Sequence, residues 1–306
     1  MTQTSVKQKF NYDQAFDRNL GWLTSEEQTK LKNSCIAIAG LGGAGGFQAQ
    51  ALARLGVGHF KIADLDRFEL SNINRQIGAT VDTLGESKVS VIRDMILAIN
   101  PQAKVQVFEE GITTQSIDGF LDSVQLGLDG IDFFAQNTKF LFFKKCREKK
   151  IPALTSCPLG FGASLIIFSP DGMKYEDYFD IHESMSEKEK RIISTLGLSP
   201  TPLCFSYMDK KAIDLNGQRA SSVSPALILT ASFSATEAVK ILTGKYKVDY
   251  CPHVYQIDLL THQVRKKYYP FGMKSPLQRF KRWLFLKLMN NQIYYLLRPR
   301  KSVNEP

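Results

Sequence analysis

Apolar positions along the chain switch repeatedly between two spacings. Short apolar runs, CIAIA at 35–39 and HFKIA at 59–63, stop at a glycine or an acid, as strands buried on both faces of a parallel sheet do. Between and after them come stretches of helical spacing. Residues 46–55 are rich in Ala and Leu, and Val89, Ile92, Ile96 and Ile99 line one face of a helix over 88–99, closed by Asn100 and Pro101. Residues 1–34 read as a lead-in with helical stretches, in which Thr24 and Glu27 form a capping box before a helix over 26–32. The alternation continues with a strand at 104–108, helix within 117–126, a strand at 130–134, a basic-faced helix at 139–149 and a strand at 152–156. It predicts an α/β fold with a Rossmann-like, doubly wound, mainly parallel sheet.

After residue 160 the pattern changes. GFGASLIIFSP at 160–170 opens with Gly-rich turns, and the polar residues 171–222, with a charged stretch at 183–191, read as a long excursion or lid outside the core. SPALILTASFSATEAVKILT at 224–243 reads as a buried helix ended by Gly244, and 255–259 with 264–268 flank THQ as a closing hairpin. The expected organisation is a nucleotide-binding body over 1–260, with its additional C-terminal β/lid region, followed by a closing strand and basic amphipathic tail over 261–306. There is no internal repeat or low-complexity segment.

Charge sharpens this division. The net charge is +9, but residues 261–306 hold eleven Lys or Arg and one acid, Glu305, so they carry +10 and the other 260 residues sum to −1. An anionic partner met by bulk charge is expected at the tail. No apolar run reaches the roughly 18 residues of a membrane span. The polar N-terminus lacks a signal-peptide core, and the five cysteines are odd in number, widely spaced and without a CxxC pair. These features predict neither secretion, nor a disulfide framework, nor a structural zinc, and make the reducing cytoplasm the expected compartment.

Chemistry concentrates between residues 40 and 132. Gly40, Gly42 and Gly45 give the GxGxxG spacing between a strand and a helix, with Gly43 beside them. Such a turn lets phosphates approach the N–H groups of a helix N-terminus. Asp64, at the end of the second strand, can accept hydrogen bonds from ribose hydroxyls. That turn leaves ATP, NAD and FAD open. The polar cluster from Asp64 and Asp66 through Asn72, Arg75 and Gln76 favours a triphosphate, because its charge calls for cations and donors. Arg75 offers a planar fork, Asn72 and Gln76 neutral donors, and Lys88 a second cation.

GLGGAGG at 40–46, DLDRFELSNINRQ at 64–76, GESK at 85–88, INP at 99–101, LDGID at 128–132 and SATEAVKILTG at 234–244 together resemble the ThiF/MoeB/HesA superfamily, bacterial relatives of ubiquitin-activating enzymes. The resemblance extends over roughly residues 15–260. It implies that Asp64 holds the ribose, that Arg75 and Lys88 hold the triphosphate of ATP, and that Asp132 binds Mg²⁺. It implies a homodimer in which Arg18, in FDRN, reaches the neighbouring nucleotide. The implied reaction begins when a carboxylate attacks the α-phosphorus of ATP, giving an acyl-adenylate and pyrophosphate; a second nucleophile then displaces AMP. Read without the resemblance, Arg18 is an exposed charge and Asp132 a helix N-cap.

Departures bear on the acceptor. Where the family often has Asn or Ser and, further on, Arg, this chain has Phe133 and Asn137, with Lys139 the nearest cation. The paired CxxC motifs are absent, which counts against molybdopterin or thiamin thiocarboxylate synthesis. Two acceptors stay open: the C-terminus of a small ubiquitin-like or sulfur-carrier protein, and tRNA carrying threonylcarbamoyladenosine. NRQIGATVDTLGESKV and AINPQAKVQVFEEGIT are similar to the dehydratase that cyclises the latter. A noncatalytic nucleotide-binding scaffold is the alternative of another class. Cys204, between Leu203 and Phe205, reads as buried more readily than as a nucleophile. The four histidines form no metal spacing. In the tail, Leu277, Phe280, Leu284 and Leu288, widened by Trp283 and Phe285, lie at helical spacing beside Arg279, Lys281, Arg282 and Lys287. That pattern suits docking on the body, peripheral contact with an anionic membrane, or a grip on nucleic acid.

Overall fold

The computed structural model describes residues 9–182, 184–209 and 221–290. Eight strands form one sheet, β1 (Cys35–Ala39), β2 (His59–Ala63), β3 (Lys104–Phe108), β4 (Leu126–Asp129), β5 (Ala153–Leu159), β6 (Gly162–Phe168), β7 (His253–Asp258) and β8 (Gln263–Tyr268), in the order 3-2-1-4-5-6-7-8. The first five run parallel; β6, β7 and β8 continue antiparallel. The order reverses between β1 and β4, which places a crevice at the carboxyl ends of those two strands. The fold is therefore the α/β, Rossmann-like sheet expected, with an antiparallel C-terminal extension.

Among the described residues ten α-helices accompany it: α1 (Tyr12–Ala15), α2 (Ser25–Asn33), α3 (Gly43–Arg54), α4 (Lys88–Ile99), α5 (Ile117–Phe120), α6 (Gln136–Glu148), α7 (Tyr175–Phe179), α8 (Glu187–Leu198), α9 (Ser224–Thr243) and α10 (Pro276–Asn290). Strand alternation divides the core into two. Ile36 and Ile38 face α3, α4 and α9, while Ala37 and Ala39 face the layer of α5 to α8. α9 has length and apolar composition sufficient to cross a bilayer. Here it packs Ala231, Ser234, Ala235 and Ala238 out of solvent against α3, β5 and β6. The Thr24–Glu27 capping box opens α2.

Three expectations are corrected. The strand placed at 130–134 lies four residues earlier, because the buried LGLD segment pairs with β1 and β5 and Gly130 must turn against Gly40 and Gly45. The helix within 117–126 is the single turn α5, after which the chain turns into β4. Residues 171–222 are not all excursion: α7 and α8 close one face of the sheet, and Tyr178 and Phe179 are fully buried. Their aromatic spacing is helical, but flanking charges mask it. The residue 260/261 division falls in the turn of the β7–β8 hairpin. In the tail, the side chains of Phe285 and Leu288, and all of 291–306, lie outside the described residues.

Candidate nucleotide-binding and adenylation site

The crevice is built around three backbones that touch. Gly40 has φ +85°, a conformation that favours glycine, and a Cβ there would meet Gly130 O at 2.3 Å. A Cβ on Gly45 would lie 1.8 Å from Gly40 O, and one on Gly130 would lie 2.4 Å from that same oxygen. The β1–α3 turn, the first turn of α3 and the end of β4 are thus locked together by absent side chains. Gly42 N-caps α3 with no side-chain cap, so the orphan N–H groups of the first turn are left for another acceptor.

Asp64 closes one side. Its Oδ2 accepts from Leu41 N at 2.6 Å and its Oδ1 from Asp66 N at 2.9 Å. Burial pushes the carboxyl above its ordinary value, opposed by Lys88 and by these two N–H groups. Lys88, 5% exposed, donates Nζ to Asp66 Oδ2 at 2.9 Å, and its own N–H bonds to Asp66 O at 3.0 Å. Asp66 therefore anchors the lysine beside Asp64. Gln76 is buried over Gly42, and its Oε1 has no hydrogen-bond partner among the described residues. Asn72 is used by the loop itself, its Oδ1 accepting from Glu69 N at 3.0 Å. Arg75 folds back, with Nη1 on Ser71 O at 2.6 Å and Asn74 Oδ1 at 3.0 Å. A phosphate would have to draw that guanidinium off its own loop.

Asp132 is exposed, two residues past Gly130, and its Oδ1 accepts from Phe134 N at 2.9 Å. It is not the N-cap of α6, which is Ala135. No cluster of three or more His, Cys, Asp or Glu side chains able to hold a metal occurs among the described residues. A lone carboxylate suits Mg²⁺ that takes its other ligands from phosphates and water. The uncapped helix end and the single carboxylate together fit a magnesium-bound nucleotide, and the unpartnered Gln76 Oε1 can accept from one of its hydroxyl or amino groups.

Arg18 is not brought to this crevice. It lies exposed on a turn whose neighbour, Asn19, donates Nδ2 to Leu55 O at the far end of α3. Twelve residues of helix, about 18 Å, separate that end from the glycine turn of the same chain.

Two features had no signal of their own in the sequence. Lys139 is not a free substitute cation: its Nζ lies 2.7 and 2.8 Å from both oxygens of Asp129, in a buried pair. The pair ties α6 to β4 and so fixes the loop that carries Asp132. The cation beside Asn137 comes from another element, for Lys190 Nζ of α8 donates to Asn137 Oδ1 at 2.9 Å. Cys204 is 5% exposed, and burial raises its thiol further from the thiolate form.

Residues 16–274 match the ThiF family. The chain belongs to the ThiF family. Among curated relatives, a tRNA threonylcarbamoyladenosine dehydratase of Bacillus subtilis (strain 168) is 36% identical over 144 residues, 46% of this chain and 55% of the relative. A sulfur carrier protein ThiS adenylyltransferase of Escherichia coli (strain K12) is 26% identical over 217 residues, 71% of this chain and 75% of the relative. The matches span about half the length of the dehydratase relatives. Among solved structures, PaaA superposes with a TM-score of 0.63 at 21% identity, covering 88% of this chain and 77% of its own. E. coli MccB solved with ATP gives 0.58 at 20% identity, covering 82% and 67%. At such identity these two establish the fold. The relatives named here are an adenylyltransferase and a dehydratase.

Proposed function

We propose that the chain binds ATP–Mg²⁺ in the crevice between β1 and β4 and activates an acceptor oxygen by adenylation, the acceptor being the C-terminal carboxylate of a small ubiquitin-like or sulfur-carrier protein. One observation carries this reading: the uncapped N-terminus of α3, the Asp64 carboxylate on Leu41 N, and Lys88 held by Asp66 lie at one strand-order reversal. In this arrangement Asp64 orients the ribose, and the N–H groups of the α3 turn and of Gln76 Nε2 meet the phosphates. Lys88 and Arg75 offset the charge that builds on the phosphates, the term that usually dominates in such transfers. Asp132 would hold the magnesium ion. ATP supplies the adenylyl group. The resemblance to the carrier-protein adenylyltransferase over most of both chains supports the carboxylate acceptor.

A second reading, tRNA threonylcarbamoyladenosine dehydration, is favoured by the 36% identity across 144 residues and by the +10 charge of 261–306. Pyrophosphate–ATP exchange separates the two. Exchange dependent on a carrier protein supports the first, and AMP formation dependent on the modified tRNA the second. The nucleotide site is tested by calorimetry. Arg75→Ala should weaken ATP–Mg²⁺ binding by about 10- to 100-fold, the loss of one charge-assisted hydrogen bond. Equal affinities would remove Arg75 from the site, and thermal stabilisation by NAD in place of ATP–Mg²⁺ would overturn the nucleotide assignment.

A further inference from the structure

The final described helix, α10, turns polar side chains inward along its first two turns. Among its described side chains, α10 meets the body through polar groups: Gln278 is 4% exposed, Lys281 Nζ donates to Pro200 O at 3.1 Å, and Arg282 Nη1 pairs with Asp180 Oδ2 at 3.0 Å. At helical pitch these three residues share one side. The opposite side carries Leu277, Phe280, Trp283 and Leu284, exposed by 62, 57, 53 and 40%. A helix that docks on a soluble core does the reverse. The Phe280 and Trp283 rings stack at 5.8 Å, and Lys287 Nζ lies 4.9 Å from the centre of the Trp283 ring. At helical pitch Arg279 stands on one flank of the stripe and Lys287 continues it at its C-terminal end. Tyr268 and Phe271, leading into the helix, are also exposed. No acidic residue occurs between Asp258 and Glu305.

We propose that α10 is an interfacial helix that lies in the headgroup region of an anionic phospholipid bilayer. Phe280, Trp283, Leu284 and Leu277 enter the acyl boundary, and Arg279 and Lys287 meet lipid phosphates. Gln278, Lys281 and Arg282 hold one side of the helix against the body, so only the other side is open to lipid and the helix lies in the plane of the surface. A lipid surface rewards both parts of this pattern, the apolar stripe and the cations at its flank and end. Nucleic acid would use the cations and rings but leave Leu277 and Leu284 without a role. A second copy of the same face would set Arg279 and Lys287 against their own kind.

The test uses the full chain carrying Trp22→Phe, which leaves Trp283 as the sole tryptophan. Phosphatidylcholine vesicles containing phosphatidylglycerol should float the protein, shift Trp283 emission to the blue and, when the acyl chains are brominated, quench it. Vesicles of phosphatidylcholine alone should bind far less. Arg279→Gln with Lys287→Gln should weaken partitioning about 25-fold, from about fivefold for each cation near an anionic surface. Phe280→Ser with Leu284→Ser should abolish flotation without lowering the melting temperature, because both side chains face solvent. Unchanged emission and no flotation with anionic vesicles would overturn the proposal. So would a blue shift that follows added tRNA, or protein concentration, instead of lipid.

Discussion

At the scale of single residues, the site depends most on a position with no side chain. Gly130 ends β4 where its Cα faces both Gly40 O and Gly45 Cα. Both neighbours are backbone, so neither can yield as a flexible side chain would. Gly130→Ala should destabilise the protein by at least about 2 kcal/mol, an overpacking cost, and weaken ATP binding in parallel as the α3 turn is pushed off β4. Gly119→Ala is the control, because nothing lies within 4 Å of the added methyl on α5. It should be neutral or stabilise by about 0.5–1 kcal/mol. Urea unfolding and ATP titration of both variants check this, and similar losses at both positions would refute the three-backbone contact. The difference also explains what could be read in advance. Gly40, Gly42, Gly45 and Asp64 announce themselves because one turn and the strand after it bring them together. Gly130, the Lys139–Asp129 pair and the Lys190–Asn137 contact depend on β4, α6 and α8 meeting in space, and residue spacing along the chain carries no record of that.

Among elements, those with a clean period were legible and those with mixed faces were not. α4 and α9 lie where their apolar spacing puts them, over 88–99 and 224–243. α7 was hidden because Glu176 and Asp177 interrupt Tyr175, Tyr178 and Phe179, although one side of the short helix is wholly apolar. The β7–β8 hairpin owes part of its hold to charge on a strand whose side chains are mostly exposed. Lys266 Nζ lies 2.6 Å from Asp249 Oδ2, and Tyr255 donates to the same carboxylate. First the lysine and then the tyrosine hold the Asp249 carboxyl down to about 2. A carboxyl lowered on folding contributes stability above its unfolded value of about 3.9 and loses it as pH falls through the folded one. Asp249→Asn should therefore cost about 1–2 kcal/mol at pH 7, allowing for the half-exposed lysine. The gap between the two proteins should close as pH falls from about 4 toward about 2. Unfolding titrations at neutral and acid pH measure this directly. A gap of equal size at both ends would assign the effect to lost packing.

For the whole molecule, the position of Arg18 is the telling feature. It sits at the end of α3 remote from its own glycine turn, so a role at a nucleotide requires a neighbouring chain. The surface around it suits one. Trp22 is 84% exposed, and with Asn19, Ala51, Leu55, Ser232, Thr236 and Tyr246 it borders an open groove of about 600 Å³ between α3 and α9. Leu20, Ile228 and Tyr246 add exposed apolar surface. An isologous dimer would cover this face twice and bring each Arg18 toward the partner's crevice. Sedimentation should then give twice the 34.4 kDa chain mass. Complementation tests the arrangement of the sites more sharply. Arg18→Ala and Asp132→Asn both change exposed side chains, and each variant alone should lose turnover. After subunits reassort at random, about half the dimers are mixed, with both lesions in one site and the other site intact, so about a quarter of wild-type activity should return. If Arg18 acted within its own chain, mixing would place one lesion in each site and restore nothing.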